Sequence, residues 1–420
     1  MEIEQSLNKL FSLHTFGIKL GLENIQNFLN HLGNPQKSLK TIHVAGSNGK
    51  GSTSSFIASI LMESGFRVGL YTSPHFVKFN ERISIDGKQI SDNYVANFIE
   101  RNQQFIDDNG LTFFEVTTAM AFEYFVSREV DYAVIETGLG GRLDATNVLQ
   151  PLACVITSIS LEHTNILGSK IEDIAFEKAE IIKSKTKTFI GMLPEDAIMV
   201  IEKKCSTVNS QLFCLEEYIN QKDDHIELYT EELEFDDWEV PLQGKFQKYN
   251  AALASLTVAK TFGIDDPSVI TNGIKNVINN TKLQGRYETV WQSPKLILDS
   301  AHNPEGINCF VKEFLKERKS YKENILLFGA MNDKSIETML ELIRSPFDKI
   351  YFIQINYERS ATIEQLKAIA GKINLSFEEV KNLKQFLVNH LQGDGNNCLV
   401  VTGSMYLLGD VKKLLEEIKS

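Results

Sequence analysis

The sequence has few cysteines, and their placement excludes two common classes of small domain. Five occur in 420 residues, at positions 154, 205, 214, 309 and 398, and none forms a C-x-x-C pair. A disulfide framework or a zinc site would need cysteines that are paired or closely spaced. We therefore expect a protein of a reducing compartment, the cytoplasm.

Positive charge and long apolar runs are also scarce. Lys and Arg number 43 against 55 Asp and Glu, a net charge of -12, which disfavours nucleic-acid binding. No apolar run approaches the ~20 residues of a membrane span. Near the N-terminus, Glu2 and Glu4 stand where a secretory signal would carry basic residues. We expect neither a nucleic-acid partner nor a membrane partner.

The order of predicted elements indicates the fold class and the domains. Strands and helices alternate along most of the chain, which predicts an α/β fold with a parallel sheet. A polar break at 279–282 divides the chain into predicted domains 1–281 and 282–420. Acidic, alternating residues at about 210–245 predict a small β insertion, and helical spacing predicts one helix over 3–31.

Individual elements follow from hydrophobic periodicity. Strands are predicted at 41–45, 67–71, 131–136, 152–157, 188–191, 295–298, 324–328, 349–354 and 398–401. Helices are predicted at 54–64, 92–107, 117–126, 171–183, 249–261, 305–315, 336–343 and 408–418.

A glycine-rich loop lies between the first of these strands and a helix. Backbone N–H groups of Gly46, Ser47, Asn48, Gly49, Lys50 and Gly51 would surround phosphate oxygens, with Lys50 reaching the β- and γ-phosphates. Ser52 or Thr53 would offer a hydroxyl to Mg²⁺. The strict pattern G-x-x-x-x-G-K-[ST] is broken by Val44 and Gly51, so an ordinary tight turn is the alternative.

A second glycine-rich segment, 136–147, follows another buried strand. Glu136 ends that strand at the edge where α/β sheets bind ligands, and a carboxylate facing a phosphate loop is a natural Mg²⁺ ligand. The alternative is a solvated strand-end carboxylate. Arg142 and Asp144 are candidates for substrate binding or for a local ion pair.

Two further residues are ambiguous from pattern alone. His163 follows a strand and would ligate a second divalent cation, or would be an ordinary hydrogen-bonded loop histidine. Lys178 lies within the predicted helix 171–183, where the pattern favours a solvated lysine that pairs with Glu177 or Glu180.

The C-terminal part carries two polar segments near strands. Arg286 lies just past the polar break and would move onto a nucleotide when two domains close. Asp299 and His302 follow a strand and precede Pro304, which suggests either a ligand site or an Asx turn.

Taken in order, these motifs resemble the folylpolyglutamate synthase/dihydrofolate synthase family of the Mur ligase superfamily. The resemblance spans most of the chain. It implies an α/β fold class with a P-loop-type, mostly parallel sheet in an N-terminal ATPase domain that carries the small β insertion, and a smaller Rossmann-like C-terminal domain. The matching stretches are 46–52, 73–75, 81–83, 114–115, 136–147, 156–164, 177–179, 247–251, 285–286 and 301–304.

The resemblance also implies a role for each candidate residue. Lys50, Glu136, His163 and Lys178 would be catalytic. Lys178 matches the position of a lysine that is often carbamylated in the superfamily. The remaining sets overlap with these. ATP would contact Gly46, Ser47, Asn48, Gly49, Lys50, Gly51, Ser52, Asn250, Arg286 and Asp299. Substrates would contact Ser73, Arg82, Arg142, Asp144 and His302. Mg²⁺ would contact Ser52, Ser73, Glu136, His163 and carbamylated Lys178.

The sequence departs from the family pattern at four positions. They are Phe246 for histidine, Glu162 for aspartate, Glu180 for glycine and Ser300 for glycine. None of these changes removes a group with a direct chemical role.

The expected reaction is ATP-dependent ligation of L-glutamate to a pteroate or folate carboxylate through an acyl phosphate, with Mg²⁺ as cofactor. One alternative is another Mur-type ligase with a different carboxylate acceptor, which would need a site for a UDP-sugar. A second alternative is a non-catalytic nucleotide-binding switch, which would lack a catalytic lysine or metal ligand. We expect small-molecule partners only and, with both domains in one chain, a monomer.

Overall fold

The computed structural model describes residues 3–13, 21–222, 225–230, 234–235 and 239–419. These residues form two compact units. The first comprises the described residues within Met1–Pro74, Phe79–Pro241 and Gln247–Leu283, and the second those within His75–Lys78, Leu242–Phe246 and Gln284–Ser420. Two short segments that precede residue 284 in the chain, 75–78 and 242–246, therefore belong to the second unit.

The first unit is organised around an eight-stranded, mostly parallel sheet in the order β4-β3-β2-β5-β1-β6-β7-β8. Only the β2–β3 and β3–β4 pairs are antiparallel within it. The strands are β1 (Thr41–Ala45), β2 (Val68–Tyr71), β3 (Ile83–Ile85), β4 (Lys88–Gln89), β5 (Tyr132–Glu136), β6 (Ala153–Ile156), β7 (Lys187–Ile190) and β8 (Gln211–Cys214).

Helices cover this sheet. They are α1 (Ile3–Ser12), α2 (Glu23–His31), α3 (Lys50–Glu63), α4 (Asp92–Asn109), α5 (Phe113–Ser127), α6 (Thr164–Leu167), α7 (Ile171–Ala179), α8 (Glu195–Val208), α9 (Lys245–Phe262), α10 (Pro267–Lys275) and α11 (Val277–Thr281). The prediction of one helix over 3–31 is wrong, because its described part forms α1 and α2; residues 14–20 lie outside the described part of the chain.

Three central strands position the polar loops that the sequence singled out. β1 lies between β5 and β6, with His43 opposite Ile135 on one side and Cys154 on the other. All five residues of β1 are buried, as is α3 from Gly51 to Leu61. Because the three strands are parallel, the loops that follow them emerge at the same sheet edge.

A small antiparallel sheet is present, but it is shorter than predicted. It has the order β11-β10-β9, with β9 (Ile219–Lys222), β10 (His225–Tyr229) and β11 (Glu234–Phe235). The predicted start near 210 is wrong because Gln211–Cys214 pairs with β7 as part of the large sheet. Residues 223–224, 231–233 and 236–238 of the predicted insertion lie outside the described residues.

The second unit is built on a six-stranded sheet in the order β12-β13-β17-β14-β15-β16, parallel except for the β12–β13 pair. Its strands are β12 (Glu288–Gln292), β13 (Lys295–Leu298), β14 (Asn324–Phe328), β15 (Lys349–Phe352), β16 (Glu378–Glu379) and β17 (Cys398–Thr402). Its helices are α12 (Pro304–Glu317), α13 (Ile336–Ile343), α14 (Ile363–Lys372), α15 (Leu383–Leu391) and α16 (Met405–Lys419).

Both faces of this second sheet are buried. Along β13, Ile297 belongs to one apolar cluster, whereas Leu296 and Leu298 belong to another. Alternation along a strand that is apolar on both sides is typical of a parallel sheet covered by helices on each face. Across all described residues, we find no helix with the length and apolarity needed to cross a bilayer.

Candidate active site

The glycine-rich loop connects β1 to α3, and its geometry depends on glycine. Gly49 caps α3 in a left-handed conformation with φ 84°, and a Cβ atom there would lie 2.6 Å from Asn250 Oδ1. Lys50 begins the helix, and its Nζ donates to Gly46 O at 2.9 Å and to Ser47 O at 3.4 Å. The first-turn N–H groups of α3 have no intrahelical acceptor, which makes this helix start suited to an anion.

The same loop is joined to the segment that follows β6. Ser47 N donates to Ser158 O and Asn48 N to Ser158 Oγ, each at 2.8 Å. Ser160 N donates to Ser47 Oγ at 3.0 Å, and Thr157 Oγ1 donates to Asn48 O at 2.6 Å. The N–H groups of Ser47 and Asn48 thus hold the loop, so the amides available to an anion are those at the start of α3.

Lys178 lies in the interior beside this loop. Its side chain is 1% exposed, and Nζ donates to Gly46 O at 2.9 Å and to Glu162 Oε1 at 2.8 Å. The interpretation from pattern alone, a solvated lysine paired with Glu177 or Glu180, is therefore wrong. Helical spacing could not reveal the true partner, because Glu162 lies on a different element.

Glu162 is a buried charged residue of this cluster that the sequence predictions did not include, since it was considered only as a departure beside His163. Burial alone would raise the pKa of Glu162, but the ammonium groups of Lys178 and Lys50 lower it to about 2. Burial lowers the pKa of Lys178. His163 follows in a left-handed conformation with φ 45° and caps α6.

Glu136 ends β5 and is buried. Its Oε2 accepts a hydrogen bond from Ser73 N at 3.1 Å, which brings two of the predicted metal ligands together. The alternative of a solvated strand-end carboxylate is wrong. Ser52 Oγ is also buried, without a hydrogen-bond partner in the protein.

These donors can be compared with the needs of a divalent cation. Among the described residues, no group of three or more His, Cys, Asp and Glu side chains is placed to hold a metal ion. The predicted set instead combines a carboxylate, two hydroxyls and an imidazole, and hard cations favour the oxygen donors among them. Lys178 as an ammonium would repel a cation, so it fits the set only as a carbamate.

The loop after Glu136 is fixed from within and from α7. Asp144 Oδ2 accepts from Gly138 N at 2.9 Å and from Leu139 N at 2.8 Å. Arg142 N donates to Glu177 O at 2.8 Å, and its guanidinium pairs with the Glu177 carboxylate at 2.9 Å. The alternative of a local Arg142–Asp144 ion pair is therefore wrong.

Two other predicted residues lie in buried positions of the first unit. The Arg82 guanidinium carbon lies 5.1 Å from the centroid of the Phe113 ring. Asn250, on α9, donates to Gln247 Oε1 at 3.0 Å, and Gln247 Nε2 is buried without a partner in the protein. Gln247 Nε2 is thus an unsatisfied buried donor close to the glycine loop, which the Asn250 side chain contacts at Gly49.

The predicted residues of the second unit form a compact turn. Asp299 accepts from Tyr287 N at 2.8 Å and from Ala301 N at 2.9 Å, so the Asx turn is present. His302 Nδ1 lies 2.9 Å from Ser300 O. Arg286 donates to Ser300 Oγ, which joins Arg286 to the same turn.

Comparison with known proteins decides the family. The family model described as "Mur ligase middle domain" matches residues 44–258, and "Mur ligase, glutamate ligase domain" matches 285–405. A dihydrofolate synthase/folylpolyglutamate synthase of Bacillus subtilis is 33% identical over 415 residues, covering 96% of each chain. This chain belongs to the folylpolyglutamate synthase/dihydrofolate synthase family. As a Mur ligase of that family, it is an ATP-dependent enzyme that forms amide bonds.

Solved structures of this ligase family share the whole fold. Mycobacterium tuberculosis folylpolyglutamate synthase complexed with ADP and AMPPCP is similar, with a TM-score of 0.88, 29% identity and coverage of 98% and 99% of the two chains. A bifunctional folylpolyglutamate synthase/dihydrofolate synthase with Mn, AMPPNP and L-glutamate bound gives a TM-score of 0.86, 27% identity and 99% and 98% coverage. The predicted α/β fold class is confirmed.

Proposed function

We propose that this ligase joins L-glutamate to the carboxylate of a pteroate or reduced folate, with ATP as co-substrate. One observation carries the ATP-dependent part. Lys50 begins α3, and its Nζ donates to Gly46 O at 2.9 Å, so a cationic side chain lies within the glycine loop at a helix start suited to phosphate. The acceptor and the amino acid are proposed from the names of the relatives.

The chemistry explains why such a site is needed. A carboxylate is a poor electrophile at neutral pH, and attack of its oxygen on the γ-phosphate of ATP converts it to an acyl phosphate and releases ADP. The α-amino group of L-glutamate then attacks the acyl carbon and phosphate leaves. Lys50 would stabilise the charge on the transferred phosphoryl group, as a loop lysine does in other nucleotide sites.

A divalent cation fits the donors of this site, and we propose Mg²⁺ in that role. Ser52, Ser73, Glu136 and His163 would hold it. When bound, it would neutralise phosphate charge during transfer. A relative that binds Mn with a nucleotide analogue supports a divalent cation without specifying magnesium.

Carbamylation of Lys178 is part of the proposal. Burial lowers its pKa, which increases the fraction of neutral amine that can attack CO₂. The N–C bond that forms and the proton that leaves would replace an ammonium with a negatively charged oxygen donor. The contact with Glu162 would then have to rearrange, because two negative groups would otherwise lie together.

The remaining site assignments also belong to this proposal. Asn250, Arg286 and Asp299 would contact ATP, and Arg82, Arg142 and His302 the other substrates. Asp144 would act on the substrate side through the loop that it holds. We propose domains divided near 281–282, a monomer in the cytoplasm, small-molecule substrates, and no nucleic-acid partner.

Phosphate release from ATP, measured with Mg²⁺ and L-glutamate, tests the function. Dihydropteroate and tetrahydrofolate are compared as acceptors, and each product is verified by mass. Glutamate-dependent turnover with both acceptors assigns both activities, and turnover with one assigns that step. No turnover with either, in folded protein that binds ATP, would contradict the proposal and favour another Mur-type acceptor.

A further inference from the structure

A buried chain of hydrogen bonds connects the strand before the glycine loop with the loop after Glu136. His43 Nε2, in β1, lies 2.8 Å from Thr146 Oγ1, and Thr146 Oγ1 lies 2.5 Å from Asp144 Oδ1. All three side chains are buried. Neither His43 nor Thr146 belongs to the set of residues proposed above for binding or catalysis.

The direction of each hydrogen bond follows from the carboxylate. Asp144 already accepts N–H groups from Gly138, Leu139 and Thr146, so its oxygens act as acceptors. The Thr146 hydroxyl therefore donates to Asp144, and its oxygen accepts from His43. His43 must then carry its proton on Nε2, which leaves Nδ1 as a buried acceptor without a partner in the protein.

His43 is suited to this fixed role. Burial, with a smaller contribution from Lys183, lowers the pKa of His43 to about 3, so the ring is neutral at physiological pH. A neutral ring in one tautomer donates one hydrogen bond in one direction. The hydrogen-bond chain is therefore a structural support in which each donor and acceptor keeps its role at physiological pH.

The end point of the chain is the backbone that follows Glu136. With both oxygens engaged, Asp144 holds the N–H groups of Gly138 and Leu139. The other side of the loop lies against α7, where a Cβ atom on Gly141 would come within 2.7 Å of Glu177 O. Asp144 is thus the anchor that closes the loop, and its hydrogen-bonding capacity is used within the protein.

We infer that His43 and Thr146 are positioning residues, which act through Asp144 to hold the 138–147 loop in the shape that binds the carboxylate acceptor. The inference rests on the proposed function, because it assigns this loop to the acceptor side of the site. It predicts that loss of these hydrogen bonds weakens acceptor binding more than ATP binding, although His43 lies on β1, the strand that leads into the glycine loop.

The decisive variant is Thr146→Val, which keeps the shape of the side chain and removes the hydroxyl. Thr146→Ser retains the hydroxyl, and His43→Gln retains an N–H donor at the end of the side chain. Thr188→Val is the matched control, because Thr188 is as buried as Thr146 and its hydroxyl lies 2.7 Å from Ser210 Oγ. Thr188 lies on β7, in the sheet that also contains His43. All four are compared with the wild-type full chain.

Two measurements are made on each protein. Steady-state kinetics give the KM for the acceptor and for ATP, and hydrogen exchange reports the protection of peptides that cover 138–147. We expect Thr146→Val to raise the acceptor KM about tenfold, as loss of a buried hydrogen bond commonly does, with the ATP KM within about twofold. Faster exchange should be confined to the loop, and Thr146→Ser should restore both quantities.

The outcomes separate this inference from the proposed function. If wild-type protein turns over no folate substrate, the proposed function fails. Hydrogen exchange of residues 138–147 in Thr146→Val still tests whether the hydrogen bonds of His43, Thr146 and Asp144 hold this loop. Unchanged exchange and unchanged KM values in folded Thr146→Val would overturn the inference. Equal increases in the KM for ATP and the KM for the acceptor, or the same increases in Thr188→Val, would also overturn it by showing a general effect on stability.

If Thr146→Val does not fold, the other two variants test the inference. His43→Gln with a wild-type acceptor KM supports it, and Thr146→Ser with a raised acceptor KM overturns it.

Discussion

The polar loops at the carboxyl edges of the two sheets are held in different ways. In the first unit the contacts join distant parts of the chain: Lys178 Nζ bonds to Gly46 O, 132 residues away, and Thr157 bonds to Asn48, 109 residues away. In the second unit, several contacts close within a few residues. Asp299 holds Ala301 N at a separation of two residues and Tyr287 N at a separation of twelve. A longer contact, from Thr402 Oγ1 to Ala301 O, joins this turn to β17.

This difference has a mechanical consequence. A side chain that bridges distant segments supports several loops at once, so its removal should disturb all of them. A side chain that closes its own turn should affect that turn alone. The predictions that follow test this contrast, from the largest expected effect to the smallest.

The largest effect is expected for Lys50→Met. Its ammonium lies within the glycine loop and is proposed to stabilise the transferred phosphoryl group, so turnover should fall by about a thousandfold or more. Phosphate release measures the loss, and circular dichroism verifies the fold. The exposed Lys37→Met is the control, and turnover within tenfold of wild type in Lys50→Met would remove Lys50 from the site.

Lys178→Met should abolish activity and, measured against protein whose Lys178 carries the free amine, should also cause a large loss of stability. It leaves the buried Glu162 carboxylate without its partner, which typically costs about 3–5 kcal/mol. Urea unfolding measures the difference. Lys204→Met is the control, since its ion pair with Glu180 is partly exposed and should contribute about 1 kcal/mol or less. An equal decrease in the free energy of unfolding in both variants would show that burial does not make the Lys178–Glu162 pair more stabilising than the exposed one.

The same pair should make stability depend on acid. The pKa of Glu162 is about 2 in the folded protein and 4.5 as an ordinary side chain, so the unfolded chain binds the proton more readily. The contribution is fully present above pH 4.5 and is lost as pH falls toward 2, on the order of 3 kcal/mol in all. Unfolding free energies of wild type and Glu162→Gln should therefore converge between pH 6 and pH 3. A constant difference would contradict the assignment.

Sequence patterns predicted the elements of the fold well where periodicity is strong and local. The strands at 295–298 and 324–328 and the helix at 336–343 begin and end at the predicted residues. The helix expected at 171–183 ends at Ala179 instead, and α8 was not predicted. Amphipathic spacing does not reveal where tertiary contacts end a helix.

In the candidate site, too, local features could be predicted from the sequence and long-range contacts could not. The glycine loop and the Asx turn could be predicted because their geometry follows from neighbouring residues, as with Gly49 and Asp299. The partner of Lys178 could not, because the Lys178–Glu162 contact joins two elements through the fold. A lysine on a helix is usually solvated, and only burial beside the loop reverses that expectation.

In the second unit, Asp299→Ala should have a smaller and more confined effect. The N–H groups of Tyr287 and Ala301 lose their acceptor, at a cost of about 1–3 kcal/mol. Hydrogen exchange should increase in peptides that cover 285–303 and remain unchanged at 46–53. Asp299→Asn, which keeps one acceptor oxygen, should lie between wild type and Asp299→Ala. Increased exchange at 46–53 would break the contrast between the two edges.

Arg142→Ala should have the smallest effect on stability. The Arg142 side chain is 42% exposed and its guanidinium lies 2.9 Å from the Glu177 carboxylate, so the ion pair should contribute about 1 kcal/mol or less. If the substrate that Arg142 is proposed to contact is the carboxylate acceptor, the acceptor KM should nevertheless rise by roughly three- to tenfold.

Glu177→Gln separates the two roles of Arg142, because it removes the ion pair and leaves the guanidinium in place. A rise in the acceptor KM for Arg142→Ala but not for Glu177→Gln would assign the effect to a contact with substrate. An equal rise in the acceptor KM in both variants would mean that the Arg142–Glu177 pair only holds the 138–147 loop against α7. Arg142 would then be a positioning residue and not part of the substrate site.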